Sequence, residues 1–382
     1  MPATTSDKNN SVIQKRFLSI LFFVWLIIQL FTLSQFGIVT HNEAVKYINE
    51  AQFFLNHGHY SEQKYLFYSA YIFLHVLFLK AGFEITGVYL TQLFGSLFAM
   101  FFFFKTVYRV SKNVKQAFVT TFLLLVCYTW QWWTVFLYTE SLFCSLLIIF
   151  TYLVFGINKR VIMHDLLASL VFILILFARP TGILLIPVIC LLLFYKLIKR
   201  KKIISAIVFG LVIFSVFVIL LNFSMNAGSD FDFIKPLVEN NVLCYDSEEP
   251  VIGIHINDHG LKGVIDYIQD YPGNFLRLAG LKFVSYWSLT RPGNSALHNW
   301  WLRLFFYPLY ACGFIGIFNL KKGQTYFLLY CLGIFAIFTT SVMVSCDDSD
   351  NRFIVAVIPL VIFLAGFGIN RVFPKLSGTK SA

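Results

Sequence analysis

Long apolar runs alternate with short polar connectors along most of the chain, and this pattern predicts membrane-spanning helices. Runs that approach or exceed the ~20 residues of a helical span lie at residues 17–36, 86–104, 116–136, 141–157, 161–178, 180–198, 203–223, 300–320, 324–345 and 353–370. We therefore predict an all-α integral membrane fold with about ten transmembrane helices, in which residues 1–382 form a single polytopic domain. The first run is too long for a cleavable signal peptide and has no small-residue cleavage site, so we expect it to be the first span.

A different pattern occupies residues 41–58 (HNEAVKYINEAQFFLNHG), directly after the first run. Apolar residues recur there at three- and four-residue spacing, which is typical of an amphipathic helix. The same stretch carries Glu43, Lys46 and Glu50. We expect a helix that lies in the membrane surface with its charged face toward water. Taken alone, the stretch is equally consistent with an ordinary interfacial connector.

Residues 65–82 (YLFYSAYIFLHVLFLKAG) are apolar and long enough to form an eleventh span, but the charge pattern argues against it. With ten spans and both termini in the cytoplasm, the basic clusters all fall on the cytoplasmic side, as the positive-inside rule expects. An eleventh span would place the later clusters outside. We therefore predict that residues 65–82 lie in, or dip into, the outer leaflet, within a first outer loop at 37–85. The later clusters are Lys105, Arg109, Lys112, Lys115, Lys159, Arg160, Lys196, Lys199, Arg200, Lys201, Lys202, Lys321, Lys322, Arg371, Lys375 and Lys380.

Composition supports the membrane class and excludes a nucleic-acid-binding protein. The chain is 58% hydrophobic and 13% charged, and soluble domains carry about twice that charged fraction. A net charge of +11 would suggest nucleic acid in a soluble protein. Here the positive residues cluster in short connectors instead. We expect a multi-pass protein of the cell (inner) membrane that contacts membrane lipid, with its functional site facing outside the cytoplasm.

A second outer loop, residues 224–299, is large and rich in acidic residues. These are Asp230, Asp232, Glu239, Asp246, Glu248, Glu249, Asp258, Asp266 and Asp270. The seven cysteines show no CxxC motif and no Cys/His cluster, and most lie inside predicted spans. Cys244 and Cys346 fall in outer loops, where a disulfide between them is possible, although the sequence favours two free thiols.

Ionisable residues collect in four predicted outer loops at similar depth. Glu43 lies in the first loop, Glu140 between the third and fourth spans, and Arg179 between the fifth and sixth. The last loop, residues 346–352 (CDDSDNR), contains three aspartates and an arginine. Because ionisable groups near a membrane are costly unless paired or functional, four such loops together indicate a functional site.

Each of these loops also has an ordinary structural interpretation. Glu140 could stabilise the N-terminus of the next helix, where a carboxylate favours the dipole. Arg179 could be an anchor that reaches the membrane surface, because Pro180 alone explains the turn. The aspartates could form a solvated loop, or Asp347, Asp348 and Asp350 could bind a divalent metal ion through hard oxygen ligands.

Carboxylates and arginines at a membrane face suit the transfer of a group from a phosphate-bearing lipid. A carboxylate would take a proton from an acceptor hydroxyl. An arginine would hold the lipid phosphate as negative charge develops on it, preferably in bidentate geometry. The bilayer would hold the hydrocarbon tail of the carrier.

Five short motifs in order resemble the GT-C superfamily of polytopic glycosyltransferases, and most of all the group of aminoarabinose, protein-mannosyl and lipid-linked mannosyltransferases. The spacing of Glu43 and Tyr47 is similar to a D-x-x-x-Y motif in the first outer loop, and KYLFY from Lys64 is similar to K-P-P-L-Y-x-W without its prolines. LYTESLF at 137–143, RPTG at 179–182 and NRFIVAVIPLVIFLAG at 351–366 resemble the family's later motifs.

The resemblance implies a donor, an acceptor and roles for particular residues. It implies transfer of a hexose or pentose from a polyprenyl-phosphate-linked donor to a glycan, lipid or protein acceptor at the outer face. Glu43 and Glu140 would be catalytic, with Glu43 as the base. Substrate-binding positions would be Lys64, Arg179, Arg352 and Tyr47. The resemblance fixes no cofactor, and a divalent metal ion held by the last loop is possible.

Two other classes of protein compete with the enzyme. A transporter or flippase of lipid-linked sugars would use charged or helix-breaking residues in the middle of its spans, and such residues are nearly absent here. A structural membrane scaffold would not explain four charged outer loops.

Overall fold

A computed structural model of the chain describes residues 5–156, 161–227, 233–244, 260–320 and 322–372. Its α-helices are α1 Thr5–Phe36, α2 Glu43–His57, α3 Ser69–Ala81, α4 Glu84–Ser111, α5 Val114–Leu125, α6 Tyr128–Gln131, α7 Thr139–Thr151, α8 Ile162–Ala178, α9 Leu185–Lys199, α10 Ile203–Asn226, α11 Ile234–Val238, α12 Leu261–Asp270, α13 Pro272–Ser288, α14 Ala296–Asn319, α15 Thr325–Val344 and α16 Ile358–Val372. Short 3₁₀ helices include Gln63–Tyr68, Pro180–Leu184 and Ile354–Ala356. Across these ranges the structure contains no strand, and the predicted all-α fold is confirmed.

Seven helical segments in the described ranges are long and apolar enough to cross a membrane. They are Val12–Phe36, Glu84–Ser111, Thr139–Gly156, Pro180–Lys199, Ile203–Asn226, Ala296–Asn319 and Thr325–Val344. Three further apolar helices, α5, α8 and α16, are shorter. The chain is therefore an all-helical membrane protein, and seven of the ten predicted spans have the length of a complete crossing. The predicted span at 116–136 is wrong in its extent, because α5 ends at Leu125 and a broken helical segment follows.

The apolar segment at 65–82 does not form one long helix. The 3₁₀ helix Gln63–Tyr68 leads into α3, which has 13 residues. Gly82 follows in the left-handed conformation at φ 75°, and α4 begins two residues later. No single α-helix of span length therefore covers residues 65–82, and it stays a prediction that this segment does not cross the membrane.

Helix α16 lies at the centre of the bundle, since every residue from Ile358 to Gly368 is buried. Its closest neighbour is α14, and glycines make this contact possible. A Cβ atom on Gly316 would lie 2.0 Å from the carbonyl oxygen of Leu364, and one on Gly368 would lie 1.8 Å from that of Cys312. Small residues that let helix backbones approach closely are typical of membrane bundles.

The two ends of the bundle differ in character. At one end, which we call the site end, the four predicted outer loops meet. At the other, the basic end, α4, α14 and α16 finish and α5 and α15 begin around a shared cavity. Arg109, Lys112, Lys115 and Arg371 line that cavity.

A disulfide at the site end joins Cys244 to Cys346, with the two Cα atoms 5.1 Å apart. The expectation of two free thiols was therefore wrong. Backbone hydrogen bonds flank the disulfide: the Cys244 N–H donates to the Asp347 carbonyl, and the Asp347 N–H donates to the Val242 carbonyl. They fix residues 233–244 of the large outer loop against the loop between α15 and α16.

Several predicted features lie outside the described residues. These are the acidic residues Asp230, Asp232, Asp246, Glu248, Glu249 and Asp258, and the basic residues Lys159, Arg160, Lys321, Lys375 and Lys380.

Candidate functional site

Backbone contacts between distant loops place Glu43 and Glu140 side by side. The Val39 N–H donates to the Val135 carbonyl at 2.9 Å, and the Leu137 N–H donates to the Val39 carbonyl at 3.1 Å. These two bonds join the segment that leads into α2 to the segment that leads into α7. Glu43 and Glu140 lie in the first turns of those helices, so joining the segments brings the carboxylates together.

Arg352 connects the two carboxylates directly. Its Nε donates to Glu140 Oε1 at 2.6 Å, and its Nη1 lies 3.6 Å from Glu43 Oε1. Arg179 approaches the same Glu140 oxygen, with Nη1 at 3.1 Å. Glu43, Glu140, Arg179 and Arg352, which we call the charge cluster, therefore form one site, as predicted. The guanidinium group of Arg352 contacts both carboxylates, so Glu43 and Glu140 lie close together.

The turn at residues 179–182 sets the direction of Arg179. Proline disfavours helical backbone in the residue before it, and Arg179 is accordingly extended at φ −163° and ends α8. Gly182 packs against the end of that helix, because a Cβ there would lie 2.2 Å from the Ile175 carbonyl oxygen. Arg179 is only 7% exposed and paired with Glu140, so it is not the surface anchor considered above.

Glu140 forms the buried base of the charge cluster. It is 0% exposed, and its Oε1 atom contacts both arginines, whereas its Oε2 atom has no hydrogen-bond partner among the described residues. Glu140 is not among the residues that line the adjacent cavity. Glu140 therefore positions Arg179 and Arg352. This role is additional to any favourable interaction with the helix dipole.

A cavity of about 300 Å³ opens beside the charge cluster. This volume is at the lower end of the range for small-molecule sites, roughly 300–1,000 Å³. Its charged and polar lining consists of Glu43, Lys46, Arg179, Thr181, Lys235, Glu239, Asn241, Ser341, Ser345, Asp348 and Arg352, and its aromatic lining of Tyr68, Phe143, Phe233 and Phe353. Cations, carboxylates and aromatic rings are therefore all within reach of one bound molecule.

Glu43 lies at the edge of this cavity in a network of ion pairs. Lys46 Nζ is 2.6 Å from Glu43 Oε2, and the Tyr47 hydroxyl donates to the same oxygen at 3.2 Å. Burial raises the pKa of Glu43, but the charges of Arg352 and Lys46 outweigh burial and lower the pKa to about 2. Glu43 is therefore ionised and a weak base while these cations remain in place.

Asp348 lines the same cavity, but its pKa is shifted in the opposite direction. It is 3% exposed, and burial raises its pKa to about 6, although the charge of Arg352 acts in the other direction. Its Oδ1 atom accepts the N–H groups of Asp350 and Arg352. The sequence offered Asp348 as a possible metal ligand and, with Glu140, Asp347 and Asp350, as the next candidate for the base after Glu43. Its position in the cavity and a pKa near neutrality, which suits proton transfer, favour Asp348 among these alternatives.

The three aspartates of the last loop do not form a metal site. Asp347 Oδ2 accepts from Arg291 Nη2 at 2.6 Å and from the Ser285 hydroxyl at 2.8 Å, and Asp347 is 1% exposed. Asp348 faces the cavity and Asp350 is exposed. Among the described residues, no three His, Cys, Asp or Glu side chains are arranged to hold a metal ion. Asp347 therefore stabilises the loop through its pair with Arg291, whereas Asp348 lines the cavity.

Two predicted substrate-binding residues lie beside the cavity and not in it. Lys64 Nζ is 3.1 Å from Glu62 Oε2 and lies over the ring of Tyr65. Tyr47 is fully buried against Tyr68 and Tyr71, where it orients Glu43. Neither Lys64 nor Tyr47 lines the cavity.

Sequence reasoning missed three cations at this end of the bundle. Lys46 and Lys235 line the cavity, and Arg291 pairs with Asp347. Lys46 had a detectable signal, because it lies one helical turn after Glu43. Lys235 and Arg291 lie in the large outer loop, where nothing local in the sequence indicates which charge they meet.

Together the fold and site define a polytopic membrane protein with a charged, partly aromatic cavity at one end of its helical bundle. No protein-family model matches the chain, and no curated protein matches it. The chemistry of the site must therefore be inferred from its own residues.

Proposed function

We propose that the protein is a GT-C-type membrane glycosyltransferase that moves a sugar from a polyprenyl-phosphate donor to an acceptor hydroxyl. The observation that carries the proposal is the cavity itself, where Arg179 and Arg352 stand beside the carboxylates of Glu43 and Asp348. Arginines suit a lipid-linked phosphate, and carboxylates suit the proton of an acceptor. The cavity lies at the end of a bundle of apolar helices, so a polyprenyl tail can remain in the bilayer while its phosphate reaches the arginines.

In this proposal the reaction is one displacement at the anomeric carbon. A carboxylate takes the proton of the acceptor hydroxyl, and the acceptor oxygen forms a bond to that carbon. The bond between the carbon and the phosphate oxygen breaks, and polyprenyl phosphate leaves with its electron pair. Arg179 and Arg352 stabilise the negative charge that the phosphate gains.

Donor binding would also change the basicity of Glu43. Arg352 contributes to the low pKa of Glu43. A phosphate that draws the Arg352 guanidinium away removes part of that effect, so the pKa of Glu43 rises when the donor is bound. Glu140 keeps Arg352 in reach through its Nε contact. Glu43 thereby becomes a stronger base only in the presence of donor.

We also propose ten spans, with both termini in the cytoplasm and the site end outside it. Three features support this orientation. The three shorter helices begin or end at the same two ends of the bundle as their longer neighbours. Arg109, Lys112, Lys115 and Arg371 lie at the end opposite the site, as the positive-inside rule expects of the cytoplasmic side. The disulfide lies at the site end, and disulfides persist in oxidising compartments.

The test is sugar release from radiolabelled polyprenyl-phosphate hexoses and pentoses by the purified full-length protein in liposomes. Glu43→Gln should lower turnover by about 10²–10⁴-fold with donor binding retained. Glu62→Gln is the matched control, since Glu62 lies in the same loop, is 53% exposed and does not line the cavity. Arg179→Lys should weaken donor binding and turnover together, because lysine keeps the charge but loses the fork of donors.

Two results would remove parts of the proposal. Near-wild-type turnover of Glu43→Gln would exclude Glu43 as the base and leave Asp348. If no donor is hydrolysed or transferred, and labelled donor instead crosses the liposome membrane, the protein is a transporter of lipid-linked sugars.

A further inference from the structure

A second cavity, of about 1130 Å³, lies at the basic end, across the bundle from the site described above. It is formed where α4, α14 and α16 end and α5 and α15 begin. Four cationic side chains line it: Arg109, Lys112, Lys115 and Arg371. No acidic residue is among its lining residues in the part of the chain that the structure describes.

No carboxylate in the described part of the chain neutralises the cations of this cavity. None of the four forms an ion pair with a carboxylate of the described residues, and Arg371 donates instead to the neutral Asn319 side chain at 2.6 Å. Burial and the charge of Arg109 lower the pKa of Lys112. Like charges held together in this way favour the binding of an anion.

The cavity wall also contains polar atoms without partners. Gln116 is 5% exposed and accepts a hydrogen bond from Asn370 at 3.2 Å. The remaining amide atoms of this pair, Gln116 Nε2 and Asn370 Oδ1, are buried and have no hydrogen-bond partner in the part of the chain that the structure describes. Unsatisfied buried polar groups cost about 1–3 kcal/mol each, and a hydrogen-bonding ligand would satisfy them.

Apolar side chains complete the wall. Phe155, Phe327 and Phe367 line the same cavity as the cations. A cavity with cations, amides and aromatic rings at the end of a membrane bundle matches the two parts of a phospholipid, a charged headgroup and an acyl chain. Basic pockets between transmembrane helices on the cytoplasmic side are suited to anionic headgroups.

We propose that this cavity binds the phosphate-bearing headgroup of an anionic phospholipid. Lys112, Lys115, Arg109 and Arg371 contact the phosphate, and the buried amides contact polar groups of the headgroup. This inference does not depend on the proposed function, because it concerns the opposite end of the bundle and predicts binding without turnover.

The test measures lipid retained by the full-length protein in neutral detergent, by native mass spectrometry, after titration with dioleoyl phosphatidylglycerol or dioleoyl phosphatidylcholine. Wild type should retain one phosphatidylglycerol in preference to phosphatidylcholine. Lys112→Gln combined with Arg371→Gln should lower that affinity by about 25-fold, at about fivefold per cation near a membrane surface.

A matched double variant separates a built site from general surface charge. Arg200 and Lys202 are exposed residues of the connection between α9 and α10 and do not line the cavity. Arg200→Gln combined with Lys202→Gln also removes two positive charges, and it should change the affinity less than about threefold. An equal loss in both double variants, or no preference for phosphatidylglycerol in wild type, would overturn the proposal.

A charge-neutral variant and a soluble probe complete the experiment. Gln116→Leu should weaken phosphatidylglycerol binding with the net charge unchanged, and unchanged binding would remove the amides from the site. Inorganic phosphate and dihexanoyl phosphatidylglycerol are then compared as stabilisers in thermal melts. If inorganic phosphate alone reproduces the cavity-dependent shift, the ligand is a soluble phosphate and the lipid proposal fails.

Discussion

Arg352 shows how one side chain can determine the chemistry of several others. It contacts Glu140 at 2.6 Å and Glu43 at 3.6 Å, and its charge also opposes the effect of burial on Asp348. Glu43 has a second cation, Lys46, and its pKa falls to about 2. Burial acts most strongly on Asp348 and raises its pKa to about 6, although the charge of Arg352 acts in the other direction. Two carboxylates in one cavity are thus prepared for different roles by their neighbours.

The pH dependence of turnover should identify which carboxylate is the base. A base acts in its deprotonated form, so a reaction that depends on Asp348 loses about tenfold in rate per pH unit below its pKa, which is about 6. A reaction that depends on Glu43 alone retains its rate to much lower pH, because its pKa is about 2. The measurement is kcat/KM between pH 4.5 and 8.

Asp348→Asn provides the control for this profile. If Asp348 sets the acid limb, the variant is slow at every pH and the limb near pH 6 disappears. A limb that persists in Asp348→Asn assigns the titration to another group.

Helix α16 depends on glycine for its contact with α14. At Gly316 a Cβ atom would lie 2.0 Å from the Leu364 carbonyl oxygen, and backbone cannot move aside as a flexible side chain can. Gly316→Ala should therefore destabilise the protein by about 1–3 kcal/mol, the usual cost of overpacking. Thermal melting of the detergent-solubilised protein measures the effect.

Gly280→Ala is the matched substitution. Gly280 lies in α13, and a Cβ there would have no atom within 4 Å. The same methyl group should be neutral or stabilise α13 by about 0.5–1 kcal/mol through helix propensity. Equal melting temperatures for the two variants would contradict the close contact of α14 with α16 at Gly316.

The disulfide joins two segments that lie far apart in the sequence. It closes a loop of 102 residues between Cys244 and Cys346. Cross-links of this span are worth about 2–5 kcal/mol. Cys244→Ser combined with Cys346→Ser should lower the melting temperature in the absence of reductant. Reductant should lower that of wild type to the same value.

The control for the disulfide is Cys190→Ser, at a free and partly buried cysteine. This variant should respond to reductant as wild type does. If reductant leaves the melting temperature of wild type unchanged, the cross-link does not stabilise the large outer loop.

The described part of the molecule has a cavity lined by ion pairs at one end and a cavity lined by four cations at the other. This difference in charge between the two ends predicts which end faces the cytoplasm. In intact cells, an impermeant thiol reagent should label Ser295→Cys, which precedes α14 at the site end. It should label Ser111→Cys, at the end of α4, only after permeabilisation. Labelling of Ser111→Cys in intact cells would contradict the proposed orientation.

Local pattern in the sequence determined the class of the protein and the position of most helices. Apolar runs of span length fold as helices because the membrane leaves no other way to satisfy backbone polar groups. Ionisable residues in four outer loops were predicted to share one site, and Arg352 joins Glu43 to Glu140 in the structure. Each of these loops adjoins a predicted span, so hydropathy alone places its charged residues near the same membrane face.

Tertiary structure alone decided which partners are joined across long separations in the chain. Asp347 pairs with Arg291, and Cys244 with Cys346, across separations that no periodicity encodes. Lys64 lies beside the cavity and Lys46 lines it, although both come from the first outer loop. Helical period and hydropathy depend on neighbouring residues, so the sequence reveals them. Ion pairs, cavities and pKa values depend on which helix ends converge, and that is set only when the bundle packs.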